Sequence, residues 1–270
     1  MLKQIQKLQL ILAVFILFSG FESSRILPEM HDIYTKNLTT ENEIWEHITR
    51  GTANYNVRLH YLQGEFYVAN QIVENRMYHF PTFRNTYLFP LFSQFKKNNH
   101  EIFSGFKDEI TLFVNIQGFN SKALNTLKRQ LYPYSEMLSY RKNGIAHRGK
   151  IRIILTNDQL EIRMQNNDEW FWWLQGDLND LNENSPDIPV ICIKLNEITS
   201  WSESGNLPLE DFMRLKELAN KTHLLGKKIR IENIPDHPRL KKTLLKAGVD
   251  YFDTQNPLQK EQLVFKPSEE

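Results

Sequence analysis

This sequence predicts an α/β fold, a TIM-type (β/α)8 barrel forming a single domain, and three observations support that prediction. The segment Lys228–Pro257 contains an apolar run, a polar loop, a helical stripe and a second apolar run. In the stripe, Leu240, Leu244 and Leu245 recur at helical spacing, and Gly248 follows them as a helix stop. Two strands joined by one short helix should be parallel, with a right-handed crossover. Apolar runs and helical stripes also alternate along the rest of the 270 residues, which favours a closed barrel over an open doubly wound sheet.

The barrel is predicted to occupy residues 25–257 and to be followed by a polar tail over residues 258–270. Alternating or continuous apolar runs mark its strands. In chain order these are Ile26–His31, Asn54–Leu62 with the hairpin partner Phe66–Ala69, Glu109–Gln117, Lys150–Leu155, Trp170–Leu174, Ile188–Lys194 and the two strands of the closing segment.

Apolar residues at helical spacing predict the helices between these strands. Thr40 is a candidate N-cap for a helix through Glu43–Arg50, and Ser121 begins a second helix. The strongest helical pattern covers Leu207–Leu225. The segment His79–Phe95 is rich in aromatic residues and contains two prolines, so we interpret it as an irregular loop that leads into a helix.

Composition and charge exclude several classes of partner. The chain carries 33 basic and 32 acidic residues, which gives a formal net charge of +1. A nearly neutral chain has no general attraction to nucleic acid or to anionic membranes, so no nucleic-acid partner is expected. The single Cys192 has no second cysteine for an internal disulfide, and its apolar surroundings, PVICI, predict a buried and unreactive thiol.

A leader precedes the predicted barrel. Lys3 and Lys7 are followed by the uninterrupted apolar run Leu10–Phe18 and then by small residues. That run is shorter than the roughly 20 residues that span a bilayer as a helix. We therefore interpret residues 1–24 as a secretory signal peptide, with an uncleaved membrane anchor as the alternative. This interpretation predicts a secreted or periplasmic protein that contacts a membrane only through an uncleaved leader.

Four local motifs in the later half of the chain resemble one family of barrels. They are QGDLNDL at Gln175–Leu181, Trp-Ser-Glu-Ser-Gly at Trp201–Gly205, RIENIPDHP, and AGVDYFDTQ. With them, the chain resembles the glycerophosphodiester phosphodiesterase and phosphatidylinositol-phospholipase-C-like barrels, and among these the altered-inheritance-of-mitochondria-protein-6 type. The resemblance extends over Ile26–Pro257. It implies a barrel in which two histidines and a carboxylate-bound divalent cation cleave a phosphodiester.

The chemistry of such a site explains the residue types that the resemblance implies. Imidazole titrates near neutral pH, so one histidine can act as the base and the other as the acid. A hard cation such as Ca²⁺ or Mg²⁺ binds carboxylate oxygens and neutralises the charge that develops on the phosphate oxygens.

The positions that the resemblance assigns to this chemistry carry other residues in this chain. The expected His-x-His of the first strand is Glu29-Met-His31, so one histidine remains. The expected Glu-x-Asp of the second strand is replaced by Asn56, a weak neutral ligand, and Arg58, a cation that would repel a metal. The expected carboxylate of the third strand is replaced by Asn115. All of these changes remove ligands or acid–base groups.

Three further positions change in the same direction. Asn70-Gln71 stands where the second catalytic histidine and an aspartate are expected, and Gln117 stands where a lysine is expected. The last strand ends in Thr254-Gln255, where an acid is usual. Losses at several strands indicate a decayed metal site, although a displaced functional histidine at His60 remains an alternative, because a one-residue shift in register exchanges the faces of a strand.

The leading hypothesis is a catalytically impaired homologue of metal-dependent phosphodiester hydrolases that binds a small anionic ligand or a protein partner. Arg58, Glu29, Asn56 and Asn115 would form the anion pocket and His31 would be a residual acid–base group. No metal site and no cofactor are expected. The alternative is an active phosphoric diester hydrolase with a rearranged site, acting on a glycerophosphodiester or a phospholipid-derived substrate. In that case Arg58 takes over the electrostatic role of the cation, or Ca²⁺ or Mg²⁺ is still bound.

Simpler interpretations of the same residues stay open. His31 also fits a structural histidine at a strand end, and Arg58 also fits an ion pair with Glu29 or Asp32. The tryptophan cluster Trp170–Trp173 fits a stacking surface for a ligand such as a glycan. Because alternate residues of a strand face inward, at least one of these tryptophans is expected in the core.

Overall fold

The computed structural model describes residues 32–34, 38–49, 52–70, 80–102, 109–156, 169–182, 185–201 and 206–254. Its strands are β1 (Asp32–Tyr34), β2 (Asn54–Leu62), β3 (Glu65–Val68), β4 (Ile110–Gln117), β5 (Tyr140–Lys142), β6 (Ile145–His147), β7 (Ile151–Leu155), β8 (Trp173–Gly176), β9 (Val190–Lys194), β10 (Lys228–Glu232) and β11 (Tyr251–Thr254). Its α-helices are α1 (Glu41–Thr49), α2 (Phe89–Lys97), α3 (Ser121–Leu131), α4 (Leu195–Ile198), α5 (Leu209–Leu224) and α6 (Pro238–Ala247). A π-helix (Arg84–Leu88) leads into α2, and short 3₁₀ turns cover Tyr132–Tyr134 and Asn179–Asn182.

The main sheet closes on itself into a barrel of parallel strands. Its order is β1-β11-β10-β9-β8-β7-β4-β2-β3, and β1 also pairs with β2. Ile33 of β1 is the link, because it is in register with Asp253 of β11 on one side and with Asn54 of β2 on the other. The strand β3 lies outside this ring as an antiparallel partner of β2. The remaining eight strands are parallel, so the predicted (β/α)8 barrel is confirmed.

The middle of the barrel is filled by side chains from strands all around the ring. One buried cluster contains Ile33, Phe113, Ile154, Trp173, Val190 and Tyr251, from β1, β4, β7, β8, β9 and β11. Phe113 and Tyr251 meet edge to face, with ring centroids 5.5 Å apart. Such a layer of bulky side chains is what a small closed barrel needs to exclude water from its middle.

The outward faces of the strands pack against the helices. In the closing half, Ile229 and Ile231 of β10 share one buried cluster with Leu215 and Ala219 of α5 and with Leu244 of α6. The two isoleucines alternate with polar residues, because successive side chains of a strand point to opposite faces. One face of β10 therefore meets the helices, and the other faces the barrel interior.

The closing segment folds as its sequence predicts. His237 caps α6, since its Nδ1 accepts a hydrogen bond from the backbone N–H of Leu240 at 3.3 Å. The helix ends at Gly248, which has φ 91°, a left-handed conformation that glycine adopts without steric cost. The parallel strands β10 and β11 flank this helix. The predicted strand–loop–helix–strand unit is confirmed.

Two predicted elements differ from the structure. β8 begins at Trp173 instead of Trp170, because Trp170 pairs with Arg141 of an unpredicted hairpin formed by β5 and β6. Arg141 N–H donates to Trp170 O at 2.7 Å, and Trp170 N–H donates to Arg141 O at 2.8 Å. The predicted irregular loop His79–Phe95 is helical from Arg84 onward. Trp172 and Trp173 are buried, which confirms that the tryptophan cluster contributes to the core.

Several predictions fall outside the described residues. The strand Ile26–His31, the signal peptide over residues 1–24 and the tail over residues 258–270 all lie there, so the leader and the domain limits stay predictions. Among the helices that the structure describes, none combines the length and the apolar character needed to cross a bilayer.

Candidate functional site

A buried arginine occupies the carboxyl-terminal half of the barrel interior. Arg230 is the third residue of β10 and is 1% exposed. Its neighbours in register are Cys192 on β9 and Tyr251 on β11. The guanidinium carbon lies 4.6 Å from the ring centroid of Phe113 on β4, a strand that does not adjoin β10. The side chain therefore extends across the interior of the barrel, above the apolar layer.

Polar side chains from three other strands surround this guanidinium. Nε and Nη2 donate to Oδ1 of Asp253 at 3.0 and 2.8 Å. Nη1 donates to Oε1 of Gln175 at 2.8 Å, and Nη2 also donates to Oδ1 of Asn56 at 2.9 Å. Glu232 forms an ion pair with Nη2 at 3.2 Å. We call these five residues, Arg230, Asn56, Gln175, Glu232 and Asp253, the Arg230 network.

The network is connected internally as well as through the arginine. Nδ2 of Asn56 donates to Oδ2 of Asp253 at 3.2 Å, so both oxygens of this carboxylate accept hydrogen bonds. A guanidinium with its donors in a planar fork is well suited to such an arrangement, because it satisfies several acceptors at once. Within the part of the chain that the structure describes, the side-chain oxygens of Asn56, Gln175 and Asp253 are therefore already bound.

Electrostatics keep the arginine charged. Burial alone would lower the pKa of Arg230, but the carboxylates of Asp253 and Glu232 raise this pKa above its usual value. For Asp253, burial raises the pKa, and the guanidinium opposes that rise. Burial also raises the pKa of the neighbouring Cys192 thiol, which is therefore protonated at neutral pH. Cys192 is partly exposed instead of fully buried, and its raised pKa agrees with the expected low reactivity.

The mouth of the barrel lies beyond this network, in the carboxyl-terminal direction of β2 and β4. Arg58 and Asn115 are in register on these two strands, and Arg58 is exposed. Nη1 of Arg58 lies 3.5 Å from the backbone oxygen of Asn70. Oδ1 of Asn115 accepts a hydrogen bond of 2.6 Å from Nε2 of Gln117. Among the described residues of β2 and β4, the mouth therefore presents the guanidinium of Arg58 and the amides of Asn115 and Gln117.

The predicted site residues divide into three groups. Asn56 belongs to the Arg230 network, where its side chain is bound by neighbouring residues. Arg58 and Asn115 are in register on β2 and β4, and their role in binding an anion stays a prediction. Glu29 and His31 lie outside the described residues, so their roles stay predictions.

His60, the alternative histidine, packs against the backbone of the hairpin. Its Nε2 lies 3.1 Å from the backbone oxygen of Ala69. Burial lowers the pKa of His60, and the nearby charge of Arg58 lowers it further. A neutral imidazole in this position fits a structural role better than a displaced acid–base group.

The residues that remain do not fit a divalent cation. The resemblance places metal ligands at Asn56 and Arg58, yet the first is bound to a guanidinium and the second is itself cationic. The carboxylates of Asp253 and Glu232 are paired with Arg230. Within the described ranges, no group of three or more His, Cys, Asp or Glu side chains is placed to hold a metal. The oxygen atoms of these interior side chains therefore suit a guanidinium and not a divalent cation.

Sequence reasoning missed the centre of this site. Arg230 alternates with Ile229 and Ile231 in the sequence, a pattern that predicts a strand but names no partner for the charge. In a closed barrel, however, both faces of a strand are buried, so a charged residue on the inner face must have partners inside. The segments AGVDYFDTQ and QGDLNDL supply two of these partners, Asp253 and Gln175. The alternation of apolar and polar residues within these barrel strands was the signal that could have identified Arg230, Asp253 and Gln175 as facing the interior.

Comparison with known proteins gives matches only among solved structures. No protein family matches the chain, and no curated protein does either. An EAL domain protein from Listeria monocytogenes EGD-e has 16% identity and a TM-score of 0.26, over 55% of this chain and 47% of that chain. A glycerophosphodiester phosphodiesterase from Agrobacterium tumefaciens str. C58 has 8% identity and a TM-score of 0.45, over 84% of this chain and 96% of the other. The FimX EAL domain of Xanthomonas citri in complex with c-diGMP has 12% identity and a TM-score of 0.38, over 63% of this chain and 68% of that chain.

At such identities and TM-scores the matches say nothing about activity, ligand or site residues, and the fold is established by the strand pairing of the chain itself. The particular closeness to the altered-inheritance-of-mitochondria-protein-6 type stays a prediction. The strand order and the pairing of β1 with β2 identify the chain as a closed (β/α)8 barrel.

Proposed function

We propose that this chain is a phosphodiesterase-like barrel in which an internal guanidinium has replaced metal-dependent chemistry and which binds a small anionic ligand at its mouth. The Arg230 network is the observation that carries this proposal. The predicted leader adds a secreted or periplasmic location to the proposal.

The first step concerns the cation. A hydrolase of the kind that the chain resembles needs a divalent ion held by carboxylates near the second strand. At that point Asn56 is bound to Arg230, and Arg58 adds a second positive charge two residues further along β2. A divalent ion would have to displace the guanidinium from Asp253 and approach Arg58 against electrostatic repulsion. This arrangement supports a protein that has lost the metal-dependent reaction.

The second step concerns the ligand. Arg58, the fifth of the nine residues of β2, is exposed, so an anion can bind its guanidinium without removing a buried charge from its partners. Asn115 lies beside Arg58 in register. Because the side-chain oxygen of Asn115 accepts a hydrogen bond from Gln117, the Nδ2 group of Asn115 can donate to the same ligand as Arg58. Both residues stand on paired barrel strands, which hold their backbones in place. A phosphate or carboxylate group is the chemistry that this pair recognises.

A titration with Ca²⁺ and Mg²⁺ tests the first step. A site filled at one hundred times its dissociation constant adds about 2.7 kcal/mol to the free energy of unfolding, which raises Tm by several degrees in a domain of this size. We expect no saturable rise in Tm with either ion. A saturable rise would show that a metal site persists, and steady turnover of a glycerophosphodiester such as glycerophosphocholine would show a working hydrolase; either result contradicts the first step.

A titration with inorganic phosphate tests the second step. We expect saturable changes in the amide NMR signals of Arg58 and Asn115, and a loss of these changes in Arg58→Met. Arg129→Met removes an exposed arginine on α3 and is the matched control, which should titrate like the wild type. The absence of phosphate-dependent shifts at the mouth of the wild-type protein would contradict the proposed ligand class.

A further inference from the structure

A cavity of about 600 Å³ lies at the end of the barrel opposite to the mouth. Glu109 and Lys150, which line it, immediately precede β4 and β7, so the cavity adjoins the amino-terminal ends of these strands. Its volume is in the range of small-molecule sites, which is roughly 300–1,000 Å³. The function proposed for the mouth does not involve this cavity.

Both acidic side chains of the cavity are already paired. Oε2 of Glu109 lies 2.8 Å from Nη2 of Arg152, and its other oxygen accepts from the hydroxyl group of Ser139. Glu136 pairs with Lys96, whose hydrogen bond and charge hold the pKa of Glu136 below its usual value. The negative charges of the lining are therefore compensated by cations of the protein itself.

Two cationic side chains remain. Arg148 and Lys150 line the cavity, and neither side chain forms an ion pair or hydrogen bond with another of the residues that the structure describes. Because the two acids are already compensated, Arg148 and Lys150 give the described lining of the cavity a net positive charge. An uncompensated pair of cations in a concave site attracts anions more strongly than the same pair on a flat surface.

The backbone that carries these cations is held tightly. The N–H of Gly149 donates to Oγ of Ser139 at 2.8 Å, and the N–H of Lys150 donates to the backbone oxygen of Met137 at 2.8 Å. A Cβ atom at position 149 would lie 2.4 Å from the backbone carbon of Leu138, so only glycine fits this close approach. The backbone positions from which Arg148 and Lys150 extend are therefore set before any ligand arrives, which reduces the part of the entropic cost of binding that comes from the backbone.

An aromatic wall completes the cavity. The rings of Phe95 and His100 stack with centroids 5.0 Å apart and an interplanar angle of 29°. The N–H of His100 donates to the backbone oxygen of Phe95 at 2.8 Å, which fixes the turn after α2. Such a wall provides apolar contact for the body of a ligand whose charged groups lie at the opposite side.

We propose that this cavity is a second binding site, which takes a small dianionic molecule with a planar or apolar body. Its phosphate or carboxylate oxygens accept hydrogen bonds from Arg148 and Lys150, and its body contacts Phe95 and His100. Phosphomonoesters and dicarboxylates share this chemistry.

Titrations of the full chain with phenyl phosphate, phthalate and inorganic phosphate test the proposal by amide NMR. We expect saturable shifts at residues 148–150, with tighter binding of the aromatic dianions than of inorganic phosphate, because only they reach the aromatic wall. The better of the two aromatic probes identifies the anionic group. An absence of saturable shifts at these residues would overturn the proposal, as would binding that is confined to the mouth.

Substitutions assign the binding to the two cations. The double variant Arg148→Met with Lys150→Met should weaken binding of the better probe at least tenfold, since each charged donor contributes to affinity. The single variant Arg148→Met, at an exposed position, should also weaken binding of this probe, and it serves as the test if the double variant does not fold. Arg58→Met separates the two sites: it should abolish phosphate-dependent shifts at the mouth and leave those at residues 148–150 unchanged. Wild-type affinity in the double variant would refute the site.

Discussion

The substitution Arg230→Met tests whether the buried guanidinium supports the barrel. Methionine retains an apolar stem of similar length but leaves the carboxylate of Asp253 inside the barrel without its cation. Acceptor oxygens of Asn56 and Gln175 also lose their donor. Removing one partner of a buried ion pair typically costs about 3–5 kcal/mol, because the remaining charge is uncompensated. We expect a loss of this size in the free energy of unfolding.

Urea denaturation followed by tryptophan fluorescence measures this loss, and thermal unfolding gives an independent value. For a domain of about 150–250 residues, each kcal/mol lowers Tm by about 2–4 °C, so the expected fall is about 6–20 °C. Arg214→Met on the exposed face of α5 is the matched control, with an expected change within about 0.5 kcal/mol.

A second substitution distinguishes loss of charge compensation from loss of packing. Adding Asp253→Leu to Arg230→Met removes the stranded carboxylate, so the double variant should recover much of the lost stability. Two results would refute the reasoning: a single variant within about 1 kcal/mol of the wild type, or a double variant that is less stable than the single one.

Three further predictions concern the scaffold. The side chain of Glu43 accepts hydrogen bonds from the backbone N–H groups of Thr39 and Thr40, which lowers the pKa of Glu43. Glu43→Ala should therefore lower the free energy of unfolding by about 0.5–1 kcal/mol at pH 7. Urea denaturation across pH should show this difference from the wild type vanishing below about pH 4, as the carboxylate protonates. A difference that grows on acidification would contradict this sign. Trp172→Ala should lower the free energy of unfolding by about 3–5 kcal/mol, since the side chain is fully buried. A much smaller loss in the same assay would show that neighbouring side chains move into the space left by the indole ring. Gly149→Ala should lower Tm clearly, because the new Cβ would meet backbone atoms that have little freedom to move, and an unchanged Tm would exclude this clash.

Much of the fold was predictable because its signals are local. Alternating apolar residues in Asn54–Leu62 and the turn at Gln63–Gly64 identify a hairpin, and the structure has β2 and β3 there, with positive φ at both turn residues. The stripe in Leu207–Leu225 identifies a helix that the structure places at Leu209–Leu224. Each of these features depends on residues within one or two turns of one another.

The tryptophan region shows where local reasoning fails. Trp170–Leu174 has the composition of a strand, yet Trp170 pairs with Arg141, almost thirty residues earlier, and the barrel strand starts at Trp173. Only the fold of the preceding hairpin determines which of these aromatic residues join the barrel. A strand boundary is therefore a tertiary property when two possible partners compete for the same segment.

The candidate site depends on tertiary structure to a greater extent. The sequence by itself determined the succession of strands and helices, the helix stop at Gly248 and the polar residues at positions 56, 58 and 115. Only barrel closure brought Asn56 to Arg230 and Asp253, which lie 174 and 197 residues further along the chain. The physical reason is that periodicity records which face of an element is apolar, whereas the pairing of polar groups inside a barrel depends on the register of every strand around the ring.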